Sequence, residues 1–298
     1  MALTLTDFIL NLAGLLLWLN WRSLRFDPLA RAAAASLAGT LKRTDARRLR
    51  GWQFLAGLAL LLLARALLLW PIGAAADWTP KLELWVVTLV FRCDHLALRA
   101  DVLGPALVFS GLSFLRVLLV FYCWLLVLAA INRHPGEAEP ALRMLRAHLG
   151  RAGHWPWYVQ WVLPLAVVTV LWIALHPLLL ALNITGRVQS FAHLLEQGLL
   201  VGAALYLSLK YILPVILLVH LVLSYVYLGP NPAWDFVNVT ARHLLAPLRW
   251  LPLRLAAVDF APLLGAALIL LLLHVLPTYG SQWAETRLHL SIEPIWPQ

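Results

Sequence analysis

Six stretches of this chain are almost continuously apolar, and polar stretches separate them. The apolar stretches cover residues 3–20, 51–72, 105–131, 159–182, 196–228 and 257–277. A helix rises about 1.5 Å per residue, so about 20 residues cross the ~30 Å hydrocarbon core of a bilayer. The pattern therefore predicts an all-α membrane protein with six transmembrane helices. The fifth stretch is longer than a bilayer requires, and we expect Pro214 to kink it.

The composition supports the same class of protein. The 298 residues are 62% hydrophobic and 12% charged, whereas a soluble domain carries roughly a quarter charged residues. The two cysteines, Cys93 and Cys123, exclude a disulfide-rich scaffold and a CxxC metal or redox site. The sequence contains no Gly-rich phosphate loop, no HExxH or GxSxG motif and no paired catalytic carboxylates. We therefore expect a non-catalytic protein.

Basic residues are distributed unevenly between the two sets of loops. Segments 21–50, 132–158 and 229–256 hold fifteen of the 23 Lys and Arg residues, and the other loops and tail hold five. The positive-inside rule then predicts cytoplasmic basic loops and two outward-facing termini. Most of the net charge of +9 is thus a topology signal and an attraction to anionic membrane lipids. We expect lipids and other membrane proteins as partners, and no nucleic acid.

Three sets of landmarks recur at similar spacings, which indicates an internal repeat. A proline follows an apolar stretch in each unit, at Pro28, Pro135 and Pro232. A polar residue opens the return span 25, 25 and 27 residues later, at Gln53, Gln160 and Asp259. The return span is expected to end 18, 17 and 18 residues further on, at Pro71, Pro177 and Pro277. We interpret the chain as three parallel helix-pair repeats.

Each repeat contains a segment with helical apolar spacing after its first proline. These segments, 28–41, 139–150 and 232–248, predict amphipathic helices at the cytoplasmic interface, with leucines toward lipid and arginines toward headgroups. The expected divisions are repeats at 1–72, 105–182 and 183–277, an outer linker at 73–104 and an outer tail at 278–298. Residues 81–92 and 287–293 alternate as strands do, so a small β-pairing on the outer side is possible. An interfacial helix at 81–92 is the alternative.

Residues 231–276 resemble the YggT family of small bacterial and plastid membrane proteins. The family pattern is a span, Asn-Pro or Asp-Pro, an amphipathic stretch, Pro-Leu-Arg or Pro-Ile-Arg, and Asp with a nearby Ser-Pro or Ala-Pro. The corresponding residues here are Asn231, Pro232, Pro247, Leu248, Arg249, Asp259, Ala261 and Pro262. The first two units match this pattern less well, and family members usually have two units. His220 lies near the place of an arginine that typically precedes Asn-Pro in the family.

The resemblance implies a location in the bacterial inner membrane and no enzyme activity. Members of the family have been connected with osmotic or ion homeostasis, with cell division and nucleoid organisation, and in plastids with haem attachment. We therefore expect an assembly or organising factor for membrane proteins or cofactors. The alternative is a transporter or channel linked to ion or osmotic homeostasis.

Ionisable groups inside spans are the main candidates for a functional site, because they are costly to bury in lipid. Arg116 lies near the middle of the third stretch, where it lines a path or pairs with Gln53 or Asn11. Lys210 and Arg65 are expected to snorkel toward polar surroundings. Asp259 is expected to cap the sixth span.

Two histidines are candidate haem ligands by their position in the sequence. His176 and His274 both precede the prolines that are expected to end return spans, and two imidazoles could hold a haem axially. No small residues flank them to admit a porphyrin, so we expect no bound cofactor and no metal.

Overall fold

The computed structural model describes the chain mainly as helices. It covers residues 2–25, 51–76, 81–84, 87–91, 103–133, 142, 145–146, 148–182, 184–186, 188, 190–226, 229, 231–248, 250, 254–255 and 258–288. The chain divides into two compact units, one of residues 1–82 and 88–118 and one of residues 83–87 and 119–298.

Eight helices and four short strands lie within the described residues and take their numbers in chain order. They are α1 (Ala2–Arg25), α2 (Gly51–Ala76), β1 (Lys81–Leu84), β2 (Val87–Val90), α3 (Leu103–Ile131), α4 (Trp157–Ala181), α5 (Phe191–Ala204), α6 (Leu209–Tyr225), α7 (Pro232–Leu244), β3 (Arg254–Leu255), β4 (Val258–Asp259) and α8 (Ala261–Leu288). Turns of 3-10 helix lie at Gly150–His154, Leu205–Ser208 and Ala246–Leu248.

Four stretches of the described residues are long and apolar enough to cross a membrane. They are Gly51–Leu68, Gly104–Ile131, Trp157–Ala181 and Phe191–Tyr225. A shorter apolar stretch, Ala261–Val275, forms the first half of α8. The first predicted span coincides with α1 and the sixth with α8. The protein is therefore a helical, membrane-compatible chain.

The helices continue past the prolines at which the return spans are expected to end. Helix α2 continues past Pro71 to Ala76, and α4 continues past Pro177 to Ala181. Helix α8 likewise passes the third proline and ends at Leu288, so 278–288 belong to a helix rather than to a separate tail. A proline removes one backbone hydrogen bond and bends a helix, but membrane helices tolerate it where neighbouring groups compensate.

The predicted outer β-pairing forms within one segment. Strands β1 and β2 pair with each other as a two-stranded sheet, which excludes the interfacial-helix alternative for 81–84 and 87–90. The tail proposed as a second strand begins in α8, and residues 289–298 lie outside the described residues. A second small sheet was not predicted: β3 and β4 are antiparallel, with Arg254 opposite Asp259.

Close approach of helices explains several glycines in the two units. In the first unit, α1 packs against α2, and a Cβ at Gly14 would lie 2.9 Å from the Phe114 ring. In the second unit, α4 packs mainly against α5, where a Cβ at Gly202 would lie 3.0 Å from the backbone oxygen of Leu165. Small residues at such contacts let membrane helices pack backbone to backbone.

The amphipathic helix α7 covers the end of a helix bundle in the second unit. Its buried Ala241 joins a core that includes Leu126 of α3, Leu217 of α6 and Ala266 of α8. We had expected its apolar face to lie on lipid. It packs on protein instead. Its apolar side chains are buried against those of α3, α6 and α8, and burial of apolar surface is favourable. The first predicted amphipathic helix, 28–41, lies outside the described residues.

Candidate functional site

A buried polar cluster joins the three helices of the first unit. Asp7 and Asn11 lie one turn apart on the same face of α1. The Arg65 guanidinium on α2 forms an ion pair with the Asp7 carboxylate, and its Nη1 donates to Asn11 Oδ1 at 2.9 Å. Asn11 Nδ2 in turn donates to Ser113 Oγ on α3 at 3.1 Å. One cluster of hydrogen bonds therefore connects α1, α2 and α3.

Arg65 is buried within this cluster and does not snorkel as expected. Its side chain is 1% exposed, and its guanidinium carbon lies 5.4 Å from the centre of the Phe109 ring. The expectation was wrong because α1 supplies a carboxylate and an amide oxygen at the same depth. A buried charge is tolerated when it is paired and hydrogen-bonded.

Arg116, the foremost sequence candidate, lies next to the same cluster. It follows Ser113 by three residues on α3 and is partly buried. Its positive charge repels the guanidinium of Arg65. Asn11, which was suggested as a partner for Arg116, accepts from Arg65 and donates to Ser113. Arg116 therefore lies near the ion pair of Arg65 and Asp7.

A second polar cluster fastens α7 to the end of α3. The Asn132 side chain donates to Thr240 Oγ1 at 2.8 Å and accepts from His243 Nδ1 at 2.9 Å. Asn132 and Thr240 are both fully buried. Sequence reasoning missed this cluster, although Asn132 is the first polar residue after a long apolar stretch. That position was the available signal.

In the second unit, residues that carry the resemblance to the YggT pattern cap a helix or join two helices. Asn231 caps α7 by accepting from the Ala233 amide at 3.0 Å, and Pro232 is the first helical residue. His220 Nδ1 lies 2.7 Å from Asn238 Oδ1, which joins α6 to α7.

Asp259, another residue of that pattern, lies two residues before the start of α8. Asp259 accepts from the Ala261 amide at 3.0 Å, as a capping residue does, and its own amide donates to the Tyr225 hydroxyl. Arg249 lies outside the described residues.

Lys210 begins α6 beside the interruption of the long apolar segment. Its Nζ lies 5.2 Å from the centre of the Tyr211 ring, which is 56% exposed. The interruption is the 3-10 turn Leu205–Ser208, which precedes Pro214, and Trp124 Nε1 donates to Ser208 Oγ there at 3.0 Å. Lys210 therefore lies beside a helix interruption within the second unit.

Gln160 is the polar landmark of the second predicted repeat, as Asp259 is of the third. Unlike Asp259, it lies inside a helix, α4. It is buried, and its Nε2 donates to the backbone oxygens of Ala152 and Gly153 at 3.3 and 3.2 Å. These bonds hold the turn Gly150–His154 against the start of α4.

The histidines considered as haem ligands differ in environment: His176 is 7% exposed, whereas His274 is exposed. Within the part of the chain that the structure describes, no three His, Cys, Asp or Glu side chains gather as metal ligands would. An apolar groove of about 340 Å³ runs between α6 and α8, lined by Leu221, Val222, Tyr225, Val226, Asp259, Phe260 and Leu263.

Comparison with known proteins returned no relative. No family model matches the chain, and neither does any curated protein or solved structure. The class of protein therefore rests on the apolar helices and on the two buried polar clusters.

Proposed function

We propose that this chain is a non-catalytic membrane protein of YggT type that assembles or organises other membrane proteins or their cofactors. In this proposal it crosses the bacterial inner membrane six times, as three helix-pair repeats, with both termini outside. The uneven distribution of Lys and Arg supports this orientation.

The packing of the charged cluster in the first unit carries the proposal. A transport path requires polar groups that face water, whereas Arg65 is 1% exposed and Ser110 and Ser113 are fully buried. Ser110 Oγ also donates to the Leu62 backbone oxygen at 2.9 Å. The polar groups hold three helices together, which favours a scaffold over a solute path.

The second unit offers a surface on which partners can dock. Helix α7 is held by Asn132 and His220, and its other face exposes Asp235 and Arg242. A fixed helix with an exposed polar face suits a stable contact with another protein, because little conformational entropy is lost on binding.

Site-specific photo-crosslinking tests the assembly function. A photoreactive residue at Ala233, which is exposed at the start of α7, should crosslink to specific membrane proteins in intact cells. The control replaces buried Ala241 of the same helix and should give no intermolecular products. Absence of any product from Ala233 that is missing at Ala241 would contradict the proposal.

Reconstitution tests the transport alternative. We expect proteoliposomes that contain the protein to show the ion and solute flux of empty liposomes, and Arg116→Leu to change nothing. Flux that depends on the protein and falls in the Arg116→Leu variant would favour a channel or transporter instead.

A further inference from the structure

An exposed surface of arginine and aromatic side chains lies where the second unit begins α4. Its members are Arg146, Arg151, His154, Trp155, Trp157 and Tyr158, here called the arginine–tryptophan surface. Every residue from 154 to 158 is exposed, and Arg151 is exposed as well. The surface belongs to neither polar cluster.

The backbone beneath this surface is held in place. Gln160 donates to the oxygens of Ala152 and Gly153, and a Cβ on Gly153 would lie 3.2 Å from Arg146 Cα. The turn Gly150–His154 therefore packs directly on the residues around 146. A surface built on a fixed backbone loses little entropy when a ligand binds.

The charge of this region favours an anionic ligand. Residues 140–165 contain three arginines and two histidines, and no Asp or Glu.

The aromatic residues indicate that the anion belongs to a lipid. Trp155, Trp157 and Tyr158 are 45%, 52% and 56% exposed, and they stand at the first turn of a 25-residue apolar helix. Tryptophan and tyrosine favour the headgroup level of a bilayer. A soluble phosphate gains nothing from three exposed rings.

We propose that the arginine–tryptophan surface binds the headgroup of an anionic phospholipid. The arginines contact the phosphate, and the aromatic rings lie at the boundary between headgroup and acyl chain. This proposal rests on membrane insertion, which is one part of the proposed function, and it does not depend on the assembly role.

Titration with labelled lipids tests this proposal. The full chain in mild detergent is titrated with fluorescent phosphatidylglycerol and with fluorescent phosphatidylcholine, which has no net charge. The wild-type chain should prefer phosphatidylglycerol. Arg151→Gln should weaken phosphatidylglycerol binding about fivefold, since a basic residue near anionic lipid contributes about 1 kcal/mol. Phosphatidylcholine binding should not change, and Arg151→Lys should restore most of the lost affinity.

Lys81→Gln is the matched control, because Lys81 is an exposed cation in the other unit and its loss should change neither affinity. Equal wild-type affinity for the two lipids, or an equal loss with Lys81→Gln, would overturn the proposal. Displacement of the lipid by inorganic phosphate at similar concentrations would overturn it too, because a free anion would then be the ligand. Crosslinking at Ala233 is a separate readout, so failure of one proposal is distinguishable from failure of the other.

Discussion

Replacing Asp7 with Asn tests how much the buried ion pair of the first unit contributes to stability. The change keeps the size of the side chain but removes the charge that faces Arg65, which is 1% exposed. Removing one partner of a buried pair typically costs about 3–5 kcal/mol, because the other charge remains buried without compensation. Asp7 is itself 26% exposed, so we expect about 3 kcal/mol.

A second variant separates charge burial from general disruption. Asp7→Asn combined with Arg65→Met removes both charges and keeps a long, unbranched side chain on α2. Apolar replacement of a whole buried pair is often close to neutral. The double variant should therefore be at least about 1.5 kcal/mol more stable than Asp7→Asn alone.

The free energy of unfolding is measured in mixed micelles that contain increasing mole fractions of a denaturing detergent. Asp235→Asn is the control, because Asp235 is exposed on α7 and should stay within about 0.5 kcal/mol of wild type. The reasoning is refuted if Asp7→Asn unfolds like the control. It is equally refuted if the double variant is as unstable as the single one.

Three further predictions concern packing and topology. Asn132→Ala should lower the free energy of unfolding by about 1–3 kcal/mol, because it removes the hydrogen bonds of a buried amide to Thr240 and His243. Gly202→Ala should cost about 1–3 kcal/mol, since its Cβ would lie 3.0 Å from a backbone oxygen of α4. Gly111→Ala, where no atom lies within 4 Å of the added Cβ, should not destabilise the protein. In intact cells and in a Cys93→Ser background, a membrane-impermeant maleimide should label Lys81→Cys, and should label Arg151→Cys only after permeabilisation.

Each of these predictions has a contradicting result. Equal stability of the two glycine variants would mean that the approach of α4 and α5 is not tight, and a neutral Asn132→Ala would mean that α7 is held by apolar contacts alone. Labelling of Arg151→Cys in intact cells would invert the proposed orientation.

The sequence by itself determined most of the helical architecture. Spans of about 20 apolar residues have few alternatives to helices in lipid, and α2, α3 and α4 coincide with the predicted stretches to within a few residues at most ends. The strand pattern at 81–84 and 87–90 was also predictable, because β-branched and alternating residues favour extended structure. The sequence predicted one strand segment at 81–92 with the alternating residues 287–293 as its candidate partner, whereas two strands within 81–90 pair with each other.

The tertiary structure alone decided what the polar residues do. Asp7 and Arg65 are 58 positions apart, and Asn132 and Thr240 are 108 apart, so no local spacing relates them. Hydropathy measures how costly each residue is in lipid, but not which neighbour compensates that cost. The interpretation of Arg65 as a snorkelling residue failed for this reason.

The ends of two helices also differ from what the sequence predicted. The prolines at 71 and 177 predicted helix ends because proline lacks a backbone donor, yet both helices continue for about another turn or more. Chain-local chemistry determines which segments enter the membrane as helices. Contacts between helices decide which charges are paired and that α7 rests on protein.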